Sequence, residues 1–161
     1  MNKSKGFTII ELLVVVAIIA VLAAIVLVNV TQYINKGKNA AIKGNLTTML
    51  TNAAVYYDTN GHYADWLTSS GYTAPHDAAN AANAGAGDTV VEGCNDADCA
   101  DETTTPPTAW CACSPIYATS TETGTFCVDS TGFKGVTATA CGGVGGRCLS
   151  GAGGTNGACQ P

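Results

Sequence analysis

The chain has 161 residues, a formal net charge of -5 and eight cysteines, which suits one small domain and little more. Carboxylates are concentrated from residue 58 onward, where 11 acids meet only Lys134 and Arg147, so this part is about nine charges negative and ill suited to binding nucleic acid. No Ser-centred motif such as G-x-S-x-G is present, and nothing in the residue pattern supports an enzyme or a bound cofactor.

The first predicted element is a long apolar helix. From Phe7 to Val28, 22 residues are interrupted only by Thr8 and Glu11, after a leader carrying Lys3 and Lys5. That length is enough to cross a bilayer. A carboxylate inside such a stretch costs roughly 2.5 to 3.5 kcal/mol on insertion scales, so Glu11 calls for a partner. If residues 1–6 were removed, Phe7 would become the N-terminus, and a neighbouring subunit's Phe7 ammonium could pair with Glu11. Two other readings stay open. A secretory signal shares the lysines, but its apolar region is about 7 to 15 residues long and ends at a small-residue cleavage site, for which Val21-Leu22-Ala23 is a weak candidate. A plain transmembrane anchor accounts for the length and leaves Glu11 and the Gly6-Phe7 junction unexplained.

The run Lys5-Gly6-Phe7-Thr8-Ile9-Ile10-Glu11-Leu12-Leu13 resembles the class III leader and N-terminal helix of type IV pilins and their relatives, the type II secretion pseudopilins and competence pilins. The resemblance covers roughly residues 1–60. It implies cleavage between Gly6 and Phe7 by a membrane prepilin peptidase, N-methylation of Phe7, and assembly through Glu11 into a homo-oligomeric filament around packed N-terminal helices. Many members carry a proline where this chain has Val28 and a glycine where it has Ala20, so a particular kink does not carry over. Lysines flank the apolar run on both sides and give the positive-inside rule no clear vote. The leader and the need for the cysteines to reach an oxidising compartment place the N-terminus in the cytoplasm and the rest outside it.

Beyond Val28 the helix is expected to continue as an amphipathic half. Val30, Tyr33, Ile34, Ala41, Leu46, Met49, Leu50, Ala53 and Tyr57 recur at three- and four-residue steps and should lie on the head, with Lys36, Lys38, Asn45 and Asn52 facing outward. Gly37 and Gly44 each cost about 1 kcal/mol relative to Ala and suggest bending or close packing. Asp58-Thr59-Asn60-Gly61 should end the helix, with Gly61 in a left-handed cap; pilin relatives often carry a Gly and a Tyr here, as Gly61 and Tyr63 do.

The segment from Thr73 to Asp88 reads as a surface connector or one short helix capped by Asp77. Further on, Thr125 to Val128 and Phe133 to Thr137 flank Asp129-Ser130-Thr131-Gly132 and predict a hairpin. Trp110 to Cys113 and Ile116 to Thr119 read as two weaker strands separated by Pro115. Large apolar residues are few in this part, too few to hold it by burial alone. All eight cysteines, Cys94, Cys99, Cys111, Cys113, Cys127, Cys141, Cys148 and Cys159, lie after the helix and read as four disulfides of unassigned pairing. Zinc is disfavoured because their spacing supplies no finger-like pairs. Asp96, Asp98 and Asp101, with Asn95 and Glu102, form an acidic stretch that could hold calcium, although no EF-hand pattern is present and a solvated loop is the simpler reading. His62 and His76 are expected at the surface.

The expected fold is therefore α+β: a leader (1–6), a membrane-spanning and filament-core helix (7–28), an amphipathic helix (29–60), and a small, loop-rich antiparallel β head stapled by disulfides (61–161). The expected function is that of a pilin subunit, a precursor in the inner membrane and then part of an extracellular filament for adhesion, motility or DNA uptake. A type II secretion pseudopilin, or a membrane-anchored, disulfide-rich binding domain that never polymerises, are the alternatives.

Overall fold

A computed structural model describes residues 6–84, 90–94 and 106–137. The chain divides into two compact units, Met1–Ile34 and Asn35–Pro161. One helix, α1 (Ile9–Asn60), enters both; it is followed by a 3-10 turn (Trp66–Thr68), α2 (Ser70–Asn83) and four strands, β1 (Val91–Cys94), β2 (Trp110–Ile116), β3 (Gly124–Asp129) and β4 (Lys134–Thr137). The architecture is α+β, as expected.

In the first unit α1 is apolar on every side, with a mean hydropathy of 3.3 over its most apolar window and none of that window buried. It is the one helix among the described residues long and apolar enough to cross a membrane. Large apolar side chains from Ile9 to Val26 are all exposed.

In the second unit the same helix becomes one-sided. Asn39, Ile42, Leu46, Met49 and Ala53 are buried at three- and four-residue steps, the spacing of a single helical stripe. This stripe differs from the expected one. Ala41 is exposed, as are Val30, Tyr33 and Ile34, and Tyr57 turns its ring toward Tyr63 at 5.0 Å. The stripe runs instead through Ile42 and through Asn39, a polar residue that apolar periodicity passes over. Lys38 and Asn52, expected to face outward, reach into the head: Lys38 Nζ donates to the Tyr117 hydroxyl at 3.2 Å, and Asn52 Nδ2 donates to the Gly71 carbonyl at 2.8 Å. A Cβ at Gly37 or Gly44 would meet nothing within 4 Å, so neither glycine serves close packing within the chain. The helix ends where Gly61 adopts φ +77 and its N–H reaches the Tyr57 carbonyl, the left-handed cap foreseen from the sequence.

Of the two readings of the connector, the short helix is the one present, as α2, with a different cap. Ser69 stands at the N-cap of α2, so the cap lies eight residues before Asp77, which is exposed within the helix. Pro75 sits inside α2 and has no N–H for the carbonyl of Gly71, four residues earlier. The Asn52 side chain supplies the missing donor. Gly71 is needed for that approach, because a Cβ there would lie 3.2 Å from the Trp66 ring and 3.3 Å from Asn52 Cβ.

The sheet is an antiparallel meander in the order β1-β2-β3-β4. The predicted hairpin is present as β3 and β4, with Phe126 opposite Val136. Its turn is held by the buried Asp129 carboxylate, whose Oδ1 accepts from the N–H groups of Thr131 and Phe133 and from the Thr131 hydroxyl. Of the two weak strands, the first is present as β2, which runs on through Pro115 and ends at Ile116; Tyr117 to Thr119, expected as a second strand, are not strand. Among the described residues β1 pairs with Trp110 to Cys113, short of Pro115, while β3 continues beside Pro115 through Thr125. β1 itself was not foreseen.

Alternation divides the sheet into two faces. Trp110, Ala112, Ile116, Phe126 and Val128 join Ile42, Leu46, Met49 and Ala53 in the main core, with Tyr63, Trp66, Tyr72 and Val90. Trp66 is central to it, its ring 5.3 Å from Tyr56, 5.6 Å from Trp110 and 5.9 Å from Tyr72. The other face presents Cys111, Cys113 and Cys127, all buried, with Phe133 against them. The stalk helix is fastened at a further point by a reciprocal pair: Asn39 Nδ2 donates to the Tyr117 carbonyl at 2.9 Å, and the Tyr117 N–H donates to Asn39 Oδ1 at 2.8 Å. Lys43 also pairs with Glu122.

Candidate functional site

The residues singled out near the N-terminus converge on the first turn of α1. Thr8 precedes the first helical residue, in the N-cap position, and Glu11 stands at the third helical position. Four N–H groups at a helix start have no intrahelical acceptor. Here the Thr8 hydroxyl oxygen accepts from the Glu11 N–H at 3.2 Å, while Glu11 Oε2 accepts from the Thr8 N–H at 2.9 Å and from the Thr8 hydroxyl at 2.8 Å. The Leu12 N–H closes the first backbone bond to the Thr8 carbonyl at 3.2 Å. This is a capping box, in which two side chains satisfy each other's orphan donors.

The box changes the electrostatic account of Glu11. Read from the sequence, the carboxylate has no partner within its own chain. In the structure two donors converge on Oε2, and among the described residues none reaches Oε1. Negative charge in the first turn also suits the positive end of the helix dipole. The partner that sequence reasoning missed is Thr8, and its signal was available: T-x-x-E ahead of an apolar run is the capping-box pattern. Phe7, one residue before the box, is 78% exposed, and Gly6 is exposed beside it.

The remaining candidates do not gather into a site. His62 is half-buried, and its Nδ1 accepts from the Ala64 N–H at 3.2 Å. His76 stacks on Tyr72 with ring centroids 5.1 Å apart and meets Asp77 at 3.1 Å. Both are partly exposed, at the surface as expected. Asn95, Asp96, Asp98, Asp101 and Glu102, and the cysteines Cys99, Cys141, Cys148 and Cys159, lie outside the described residues, as does the side chain of Cys94. Among the described residues no three His, Cys, Asp or Glu side chains group in a way that could hold a metal ion. Cys113 lies directly opposite Cys127 in the ladder, and Cys127 Sγ is 3.9 Å from the Thr137 hydroxyl.

Comparison with known proteins concentrates on the same segment. Residues 1–27 match the family described as the prokaryotic N-terminal methylation motif. The chain is 34% identical over 70 residues to the "Type IV major pilin protein PilA" of Myxococcus xanthus (strain DK1622), a stretch that is 44% of this chain and 32% of that protein. It is 50% identical over 46 residues to the "Type IV major alpha-pilin" and to "Fimbrial protein Q", both of Moraxella bovis, covering 29% of this chain and 29% of each relative. The chain thus spans about a third of the length of the curated relatives it matches. No solved structure matches it.

Proposed function

We propose, from the premise that this chain belongs by its N-terminal segment to the type IV pilin family, that it is a structural subunit of a pilus-like filament. One observation carries the reading: the large apolar side chains of α1 from Ile9 to Val26 are all exposed. Such a surface needs lipid or other apolar helices around it. A filament built on packed copies of α1 provides the second environment after the first.

In this reading a prepilin peptidase cuts between Gly6 and Phe7, and the new Phe7 amine is methylated. The precursor waits in the inner membrane with its N-terminus toward the cytoplasm and its head outside. Assembly then brings a neighbour's Phe7 ammonium to Glu11, where a charge pair in a dry interface counts for far more than it would in water. The exposed apolar surface and its capped carboxylate serve packing and charge matching, and the reading assigns no catalysis and no cofactor. The filament serves adhesion, motility or DNA uptake. Four disulfides drawn from all eight cysteines staple the head.

Shearing tests the proposal. Filaments released from the cell surface should contain this chain beginning at N-methyl-Phe7. A chain that stays monomeric in the membrane fraction, or one that begins at Ala24, would sink the reading.

A further inference from the structure

The last turn of α1 ends in Asn60-Gly61, a dipeptide whose second residue has no side chain to shield its backbone nitrogen. Both residues are exposed, Gly61 holds φ +77, and nothing lies within 4 Å of where a Gly61 Cβ would be. Attack of the Gly61 nitrogen on Asn60 Cγ is therefore open on steric grounds. The new N–C bond closes a five-membered succinimide, the side-chain nitrogen leaves as ammonia, and the proton of the attacking nitrogen passes to solvent. Water then opens the ring to aspartate or isoaspartate, so the only co-reactant is water.

Two hydrogen bonds oppose this chemistry. The Gly61 N–H is donated to the Tyr57 carbonyl at 2.7 Å, and Asn60 Nδ2 is donated to the Tyr56 carbonyl at 2.9 Å. While both hold, the nucleophile is engaged and the amide points back along the helix. Helix ends fray, so the last turn of α1 opens at lower cost than the helix interior. We propose that Asn60 is a spontaneous deamidation site whose rate is gated by opening of the last turn of α1.

The product works against the structure that delayed it. A carboxylate at position 60 stands at the negative end of the helix dipole, in a segment that already carries Asp58 and Asp65. The bond from Asn60 Nδ2 to Tyr56 is lost. Isoaspartate also inserts a carbon into the backbone just before the turn that leads to Tyr63, whose N–H holds the Pro107 carbonyl at 2.7 Å. Opening thus promotes the reaction, and the reaction promotes opening.

The test is peptide mass spectrometry of the full-length chain in detergent, incubated in mildly alkaline buffer prepared with oxygen-18 water, with and without urea. The peptide containing Asn60 should gain label in both samples, about tenfold or more slowly in the folded one because only the opened fraction reacts. Asn60→Gln, whose longer side chain disfavours ring closure, should remove the label in both. Equal rates with and without urea would overturn the gate. Absence of product from the folded chain after the urea sample has fully converted would overturn the site.

Discussion

The Glu11 carboxylate has two claims on it. Within its own chain Thr8 supplies two donors to Oε2; in the proposed filament a neighbour's Phe7 ammonium supplies another charge. The two are compatible, because Oε1 is left to the neighbour. Glu11→Ala should therefore be inserted and cleaved as before, yet enter filaments poorly, while Glu11→Asp keeps partial function with a shorter reach. Thr8→Val separates the claims: it removes the hydroxyl and keeps the N–H, and should reduce filament yield less than Glu11→Ala does. Sheared filament, measured against chain retained in the membrane, reads both. Normal yield from Glu11→Ala would sink the pairing. The box was legible as T-x-x-E, but a charge inside an apolar run draws attention to its cost and away from its neighbour three residues back.

At the scale of elements, the buried polar groups of α1 fasten it to the head in the second unit. Asn52 replaces the donor that Pro75 lacks, so Asn52→Ala should cost about 1 to 2 kcal/mol by leaving the Gly71 carbonyl without a partner. In a Pro75→Ala background an intrahelical N–H can reach that carbonyl, and the same substitution should cost less. Urea unfolding of the four proteins closes the cycle; equal costs in both backgrounds would mean that Asn52 acts through packing alone. Asn39→Leu should be more severe, about 2 to 4 kcal/mol, because it strands both backbone groups of Tyr117. These contacts explain what the sequence did and did not disclose. Gly61 and the turn from Asp129 to Gly132 were readable because local chemistry decides them. Three other features were obscured: the start of α2, whose helix was one of two open readings, by its proline and its asparagines, the run of β2 past Cys113 by Pro115, and the buried stripe of α1 by Asn39. In each a tertiary contact or a neighbouring strand overrides the local signal.

For the whole molecule, the cysteines decide how much of the head survives alone. The main core is one aromatic and aliphatic cluster around Trp66, and the opposite sheet face is lined by Cys111, Cys113 and Cys127. If all eight cysteines are bridged, alkylation in denaturant without reductant labels none of them. Reduction should then lower the unfolding midpoint of the head while most of the helical circular dichroism of α1 in detergent persists; labelling of several thiols would overturn the four-bridge proposal. The order β1-β2-β3-β4 also bears on how quickly the head forms. Among the described residues each strand pairs only with the strand next to it in the chain, so no crossover must close before these strands pair, and contacts of low sequence separation favour fast folding. If the head is delivered across a membrane, as proposed, it can complete its hairpins in the order in which they emerge.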